Sequence, residues 1–209
     1  MNRRGRGAGR SMSLTEARRL LDDTGAMLSG HFLLSSGRHS DVYVEKGRVL
    51  ERPDAVAALA SRIASWYPDI DVVVSPAVGA IVLGFAVALD AGARFVFAER
   101  ESGRLSLRRG FRIEPGERAL VVEDVVTTGD SAREVCSLVT EAGAVGLGVA
   151  ALVDRSQADP GFPLRSVLRI EAVSWDGAEC PQCRAGVPIV PPGSRYLDIA
   201  AKRSPSPRG

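Results

Sequence analysis

The stretch Ala119–Glu134, ALVVEDVVTTGDSARE, decides how the rest of the chain reads. Ala119 to Val122 is a short apolar, β-branched run, the pattern of a buried strand. Two acids follow, Glu123 and Asp124, then Val125 and Val126, then a small polar turn, Thr127-Thr128-Gly129-Asp130-Ser131. A helical pattern starts directly after it, with Val135, Leu138 and Val139 on one face. The expectation is a strand that ends in two carboxylates and a hydroxyl-rich loop that opens a helix. Such a loop suits a phosphate, because the first N–H groups of a helix have no internal partner and the helix dipole is positive there. Thr127, Thr128 and Ser131 add hydroxyl donors, and Gly129 lets the backbone come close. The acids sit one step upstream, where a diol or a metal-bound sugar could lie. Neither GxxxxGK[ST] nor GxGxxG occurs. An ordinary strand–turn–helix with a Ser/Thr cap is the plain alternative.

Working outward, the same unit recurs. Val72-Val73-Val74 reads as a core strand, Ser75-Pro76-Ala77-Val78-Gly79 as a Gly-bearing turn, and Ala80 to Asp90 as a small-residue helix. Upstream, Pro53 opens an Ala-rich helix over 53–66 that Pro68 ends. Ser13-Leu14-Thr15-Glu16 is a capping box for a helix through Asp23, with Gly25 as its stop. Arg94 to Ala98 and Leu147 to Val153 read as further strands, the second ending in Asp154-Arg155. Val167 to Val173 reads as a last one. Strands near 72, 95, 120, 149 and 169 alternate with helices. That pattern predicts an α/β fold: a mostly parallel five-stranded sheet flanked by helices, with ligand at the carboxyl ends of the strands.

Between the second and third of these strands, Glu99 to Arg112 is polar and has no apolar period. It carries Arg100, Arg104, Arg108, Arg109 and Arg112. A loop this long in a compact domain is usually a lid or disordered; a solvated basic hairpin is the plain alternative. His31 to Leu34 and Val42 to Glu45 read as two short strands around a polar turn. Cys180-Pro181-Gln182-Cys183 has metal-ligand spacing but supplies half of a four-ligand site. Cys136 falls within a helix, and His31 and His39 are far away in sequence. A turn with two free thiols is the preferred reading there.

Composition bounds the function. A chain of 209 residues suits one domain with a real core. Hydrophobic residues make up 45% and charged residues 25%, as in ordinary globular proteins. A net charge of +2 gives a general nucleic-acid role no support. Lys46 and Lys202 are the only lysines, so the positive charge is almost all arginine. No apolar run approaches the ~18 residues of a membrane-spanning helix. The N-terminal MNRRGRGAGRS lacks the apolar centre of a secretory signal. Three cysteines do not make a disulfide framework, and a reducing cytoplasm is the simplest compartment. Residues 1–12, Gly/Arg-rich, and 202–209 are expected to be disordered tails around a single domain over 13–201.

The run VVEDVVTTGDS resembles the phosphoribosyl-pyrophosphate (PRPP) signature of type I phosphoribosyltransferases: apolar strand, two acids, two apolar residues, then T-x-G-x-[ST]. LSSGRHS at 34–40 and the C-terminal CPQC…PGSR segment narrow the resemblance to the orotate-using bacterial branch, over roughly residues 13–200. The resemblance implies transfer from PRPP to orotate, giving orotidine 5′-monophosphate and pyrophosphate in pyrimidine nucleotide synthesis. A phosphoribosyltransferase for another base and a PRPP-sensing regulator without turnover are the alternatives. It implies PRPP contacts at Glu123, Asp124, Val125, Val126, Thr127, Thr128, Gly129, Asp130 and Ser131. Thr127 and Arg155 would reach orotate, and Arg100, Arg104 and Asp124 would act in catalysis. Mg²⁺ would enter with PRPP, with Glu123 and Asp124 as the protein candidates for holding it. The 75–79 turn would face the leaving pyrophosphate. Residues 13–50 would form a hood over a core of about 53–175. Residues 99–112 would be the mobile loop that reaches into the partner's site in a homodimer with shared active sites. Neither nucleic acid nor membrane is an implied partner.

Three departures stand out against that pattern. The lysine that relatives carry before the Ser-Gly pair is Ser35 here, leaving Arg38 and Lys46 as the nearest partners for the orotate carboxylate. The lysines and histidine of the mobile loop are replaced by arginines, which pair phosphate oxygens bidentately but are poor proton donors. Asp130 puts a carboxylate beside the phosphate site.

Overall fold

Strand formation starts from runs such as Val72–Pro76, which is buried at every position, as a strand covered on both faces must be. The structure is a computed structural model that describes residues 12–34, 36–170 and 174–190. In chain order the elements begin with α1 (Leu14–Asp23), β1 (Met27–Leu33), β2 (His39–Val44), α2 (Gly47–Leu50), α3 (Pro53–Ala64), β3 (Val72–Pro76) and α4 (Ile81–Ala91). They continue with β4 (Arg94–Glu101), β5 (Arg104–Leu107), β6 (Arg118–Val126), α5 (Asp130–Glu141), β7 (Val145–Asp154), β8 (Leu164–Arg169), β9 (Ser174–Trp175) and α6 (Pro181–Arg184). Two compact units emerge. The larger holds Leu50–Ile170 with the residues up to Leu20; the smaller holds Leu21–Val49 with the residues that follow Ile170.

The larger unit is a six-stranded sheet in the order β5-β4-β3-β6-β7-β8. All pairs are parallel except β4–β5. Five strands were expected; the sixth, β5, comes from the arginine-rich segment read as a lid with a basic hairpin as the plain alternative, and a hairpin is what forms there. Glu101 pairs with Arg104 across a two-residue turn. Both turn residues have positive φ, Ser102 at 49° and Gly103 at 87°, the geometry that tight hairpins favour. Its apolar alternation is only Leu105 and Leu107, too short to stand out as a period.

Side chains alternate across this sheet. Val72, Val74, Val96, Ala98, Ala119 and Val121 form one buried face with Val135 and Val139 of α5. On the other face α4 comes so close that a Cβ at Gly84 would lie 2.1 Å from Ser75 Oγ and 2.8 Å from the Phe95 ring. Only glycine permits that approach. Because β3 is flanked by β4 on one side and β6 on the other, the chain order reverses between β3 and β6. Such a switch opens a crevice at the carboxyl ends of the two strands, where the 77–80 and 127–129 turns begin.

Two boundaries differ from expectation. β6 continues through Glu123 and Asp124 to Val126, because its ladder with β7 holds out to Val126↔Asp154. The acids therefore lie inside the strand rather than after it. The last core strand is Leu164–Arg169 rather than 167–173, and 171–173 lie outside the described residues. So do Ser35, residues 1–11 of the tail expected over 1–12, the tail expected over 202–209, and the PGSR segment.

The smaller unit is a three-stranded antiparallel sheet, β1-β2-β9. β1 and β2 are longer than the two short strands expected, since pairing extends to Met27↔Val44. After α6 the chain returns beside β1: Leu33 N–H donates to the Val190 carbonyl and Val190 N–H to the His31 carbonyl, at 3.1 and 2.7 Å. The capping box of α1 forms as read, with Ser13 N–H on Glu16 Oε2 at 2.7 Å and Glu16 N–H on Ser13 Oγ at 3.2 Å.

Candidate active site

The turn after β6 is fixed from its backbone outward. Gly129 adopts φ 79°, ψ 7° ahead of α5, a left-handed conformation that costs any residue with a Cβ. A Cβ there would also meet the Phe162 ring and Pro160 at 3.1 Å. The 160–162 segment thus backs the turn. Arg133 secures it, donating to the Pro160 carbonyl at 3.0 Å and the Thr128 carbonyl at 3.3 Å. The first intrahelical bond of α5 runs from Arg133 N–H to the Gly129 carbonyl at 2.8 Å. The N–H groups of the preceding turn, apart from that of Asp130, which meets Thr128 Oγ1 at 3.5 Å, therefore remain as donors at the positive end of the helix. They line a cavity of about 200 Å³ formed by Glu123 and residues 125–132. The Thr127 and Ser131 hydroxyls have no hydrogen-bond partner among the described residues.

The two acids are separated by the pleat. Glu123 is in phase with Ala119 and Val121, towards α5, and lines the cavity. Asp124 is in phase with Leu120 and Val122 and is not part of that lining. Both carboxyls are buried. Asp124 N–H donates to Glu123 Oε1 at 3.0 Å, and Val125 N–H to Asp124 Oδ1 at 2.7 Å.

Asp130 is tied within the loop. The Thr128 hydroxyl donates to Asp130 Oδ2 at 2.7 Å and Arg133 to Asp130 Oδ1 at 2.7 Å. These two contacts, the hydroxyl first, hold its carboxyl below the usual carboxylate range. Its negative charge is thereby partly matched by Arg133, so the carboxylate is less hostile to a neighbouring phosphate than the sequence implies.

The arginine-rich segment is a laced hairpin rather than a bare one. Arg109 grips Glu99 with two bonds, at 2.8 and 2.9 Å, and Arg108 lies 3.2 Å from Glu101. Arg100 donates to the Gly103 carbonyl at 2.7 Å and to Glu134 of α5 at 2.9 Å. Glu134 also accepts Leu105 N–H at 2.8 Å. That N–H first, and Arg100 second, depress the Glu134 carboxyl. Arg104 is exposed and makes no ion pair among the described residues.

At the end of β7, Arg155 N–H donates to the Val126 carbonyl at 2.8 Å, which sets Arg155 beside the start of the turn. Asp154, the neighbour of Arg155 at the end of the strand, is engaged elsewhere. It faces Arg169 of β8 at 3.4 Å and accepts Ser156 N–H and Oγ–H at 2.8 and 2.6 Å. In the smaller unit Arg38 is engaged by Ser174 Oγ at 2.9 Å and Asp176 at 3.1 Å.

Sequence reading missed one cluster. His31, His39, Cys180 and Cys183 bring one ligand atom each to within 4.8 Å of one another. The CPQC spacing was visible, but the histidines lie 149 and 144 positions away from the cysteines they touch.

A glycine-bearing turn at a sheet switch point, donors around a small cavity and an acid on the strand beside it suit a phosphorylated ligand. The phosphoribosyl transferase domain matches residues 48–178, and the chain belongs to that family. Its relatives carry a more particular name. The orotate phosphoribosyltransferase of Caldicellulosiruptor bescii is 48% identical over 180 residues, 84% of this chain and 95% of its own. That of Pelotomaculum thermopropionicum is 47% identical over 190 residues, 89% of this chain and all of its own. Among solved structures, orotate phosphoribosyltransferase from Aeropyrum pernix superposes with a TM-score of 0.62 at 25% identity, covering 73% of this chain and 93% of that one.

Proposed function

We propose that this enzyme transfers the ribose 5-phosphate group of PRPP to orotate, forming orotidine 5′-monophosphate and releasing pyrophosphate. The observation that carries the reading is the donor-lined cavity after β6, with Glu123 at its wall, on a chain whose relatives of 45–48% identity bear the orotate name. The 5′-phosphate takes the N–H groups of the 127–132 turn and the Thr127 and Ser131 hydroxyls. Glu123 meets the ribose hydroxyls, and Asp124 supports the strand beneath it. Breaking the anomeric C–O bond builds positive charge on the ribose and negative charge on pyrophosphate, so donors and cations preset at the two ends lower the barrier. Arg104, exposed and without an ion pair among the described residues, serves the leaving group, while Arg100 holds the hairpin to α5. Arg155 and Thr127 orient the acidic base.

The donor set near the ribose fits magnesium, which takes hard oxygens from one or two carboxylates and the rest from substrate phosphates. Glu123, whose carboxyl lines the cavity, is the residue that would hold it; Asp124, named with it from the sequence, lies on the opposite face of β6 and outside that lining. Bound there, the ion would spread the charge of the departing pyrophosphate.

We also propose a homodimer in the cytoplasm. Val78, Val82, Phe85 and Leu89 are all exposed, Val78 by 81% and Leu89 by 73%. At spacings of four, three and four they form one apolar stripe along α4 and the turn before it. Phe85→Glu is expected to yield monomers by light scattering; an unchanged dimer would move the interface elsewhere. For the activity, pyrophosphate release is measured with PRPP and orotate, adenine, guanine, hypoxanthine or uracil. Release confined to orotate is expected. Release with another base would reassign the acceptor, and PRPP binding without any release would indicate a regulator.

A further inference from the structure

We propose that His31, His39, Cys180 and Cys183 bind a structural zinc ion within the smaller unit. The contacts converge on one centre. His31 Nε2 lies 2.9 Å from His39 Nδ1, 3.4 Å from Cys180 Sγ and 3.6 Å from Cys183 Sγ. Cys183 Sγ is 3.3 Å from His39 Nδ1. In a tetrahedral zinc site with N at about 2.0–2.1 Å and S at about 2.3 Å, ligand atoms sit roughly 3.3–3.8 Å apart. These four separations fall within about half an ångström of that range, and all four ligand atoms lie within 4.8 Å of one another, so closing the site takes side-chain adjustment of up to about an ångström.

A hydrogen-bond network does not account for this arrangement. His31 Nδ1 lies 2.8 Å from the Val187 carbonyl, which can only accept, so that nitrogen carries the proton and Nε2 keeps its lone pair. Three neighbours then approach a single lone pair, which can satisfy one of them. The Val187 contact is also the outer-shell bond that orients a metal-bound imidazole and fixes its tautomer. His31 and Cys180 are 2% and 0% exposed, while His39 is half-buried and Cys183 exposed, so the inner two ligands are fixed within the protein and the outer two close the centre from its surface.

Local chain geometry prepares each ligand. Cys180 precedes α6, Pro181 opens it, and the two-residue spacer brings Cys183 back to the same side. His39 is held in register by Leu33 on β1 and Trp175 on β9. Two thiolates and two neutral imidazoles balance the charge of the ion and close its four positions, the pattern of structural rather than catalytic zinc. The need is plain from the unit's size. β9 has two residues and α6 has four, and a unit this small gains much from a metal that staples 180–183 onto β1 and β2.

The test uses the full-length protein with a cleavable tag, purified without chelator or immobilised metal. Elemental analysis is expected to find about one zinc per chain. The cobalt-substituted protein should show the visible absorption of tetrahedral Co²⁺ with thiolate ligands. Cys180→Ser/Cys183→Ser should lose at least nine-tenths of the metal, whereas Cys136→Ser, in α5, should keep it. His39→Cys should retain zinc and strengthen the sulfur-to-cobalt band, a rescue that a purely packing role does not predict. Should the double variant fail to fold, the wild-type metal content and cobalt spectrum decide alone. Wild-type protein that takes up no zinc, or that forms a Cys180–Cys183 disulfide in its place, overturns the proposal.

Discussion

The turn after β6 and the His/Cys cluster of the smaller unit are built in opposite ways. The turn draws its donors from consecutive residues, so a strand, a left-handed glycine and a helix start suffice to shape it. The cluster draws four side chains from β1, β2 and the segment around α6, separated by up to 152 positions in the contacts they make. One site is a property of a sentence of sequence; the other exists only when distant strands are in register. A backbone-built site should therefore fail at a single glycine, while a side-chain-built site should fail when any ligand is lost and recover when another ligand replaces it.

The largest effect is expected at Gly129. Gly129→Ala forces a Cβ into the left-handed region, at about 1–2 kcal/mol, and against Phe162 and Pro160. Converted to affinity, that is a rise of roughly tenfold or more in the PRPP KM, read by steady-state kinetics. Zinc content should stay at the wild-type level. A normal KM would mean that the turn is not the phosphate site, and a loss of metal would break the contrast between the two regions.

A smaller effect is expected at Glu134, which anchors the arginine hairpin through Leu105 N–H and Arg100. Glu134→Gln should loosen the hairpin by about 0.5–1 kcal/mol, seen as faster amide exchange over 100–107. The same anchor has a pH signature. Because the folded-state carboxyl is depressed below its ordinary value of 4.5, its contribution is present above that pH. It is lost as pH falls through the lower folded-state value. Exchange over 100–107 should therefore accelerate on acidification in the wild type, after correction for intrinsic rates, and much less in the variant.

The smallest effect is expected at Asp130. Asp130→Gly removes a carboxylate next to the proposed phosphate site and frees the Thr128 hydroxyl, while Arg133 keeps its bonds to the Thr128 and Pro160 carbonyls. PRPP affinity should be equal or tighter, by a few-fold at most, because a like charge leaves the helix start that the phosphate would share. A clear loss of affinity in a titration would give Asp130 a positive role in binding.

What could be read from the sequence follows the same division. The α/β alternation, the Pro53 and Ser13 helix starts and the phosphate turn are all encoded within windows of a dozen residues, where periodicity and capping act. The hairpin of β4 and β5 was less legible, because its outer positions are arginines and acids and its apolar alternation spans only Leu105 and Leu107. The length of β6 was hidden for a different reason. Glu123 and Asp124 look like the end of an apolar run, yet the ladder to β7 continues past them.

By itself the sequence determined the family, the sheet-forming strands and the donor-rich turn, because each rests on neighbours along the chain whose spacing is fixed by covalent geometry. Only the tertiary structure decided that the two acids face opposite sides of β6, that Asp154 pairs with Arg169, and that two histidines meet two cysteines. Those outcomes depend on strand register and on the packing of segments far apart in sequence, and no local spacing carries that information.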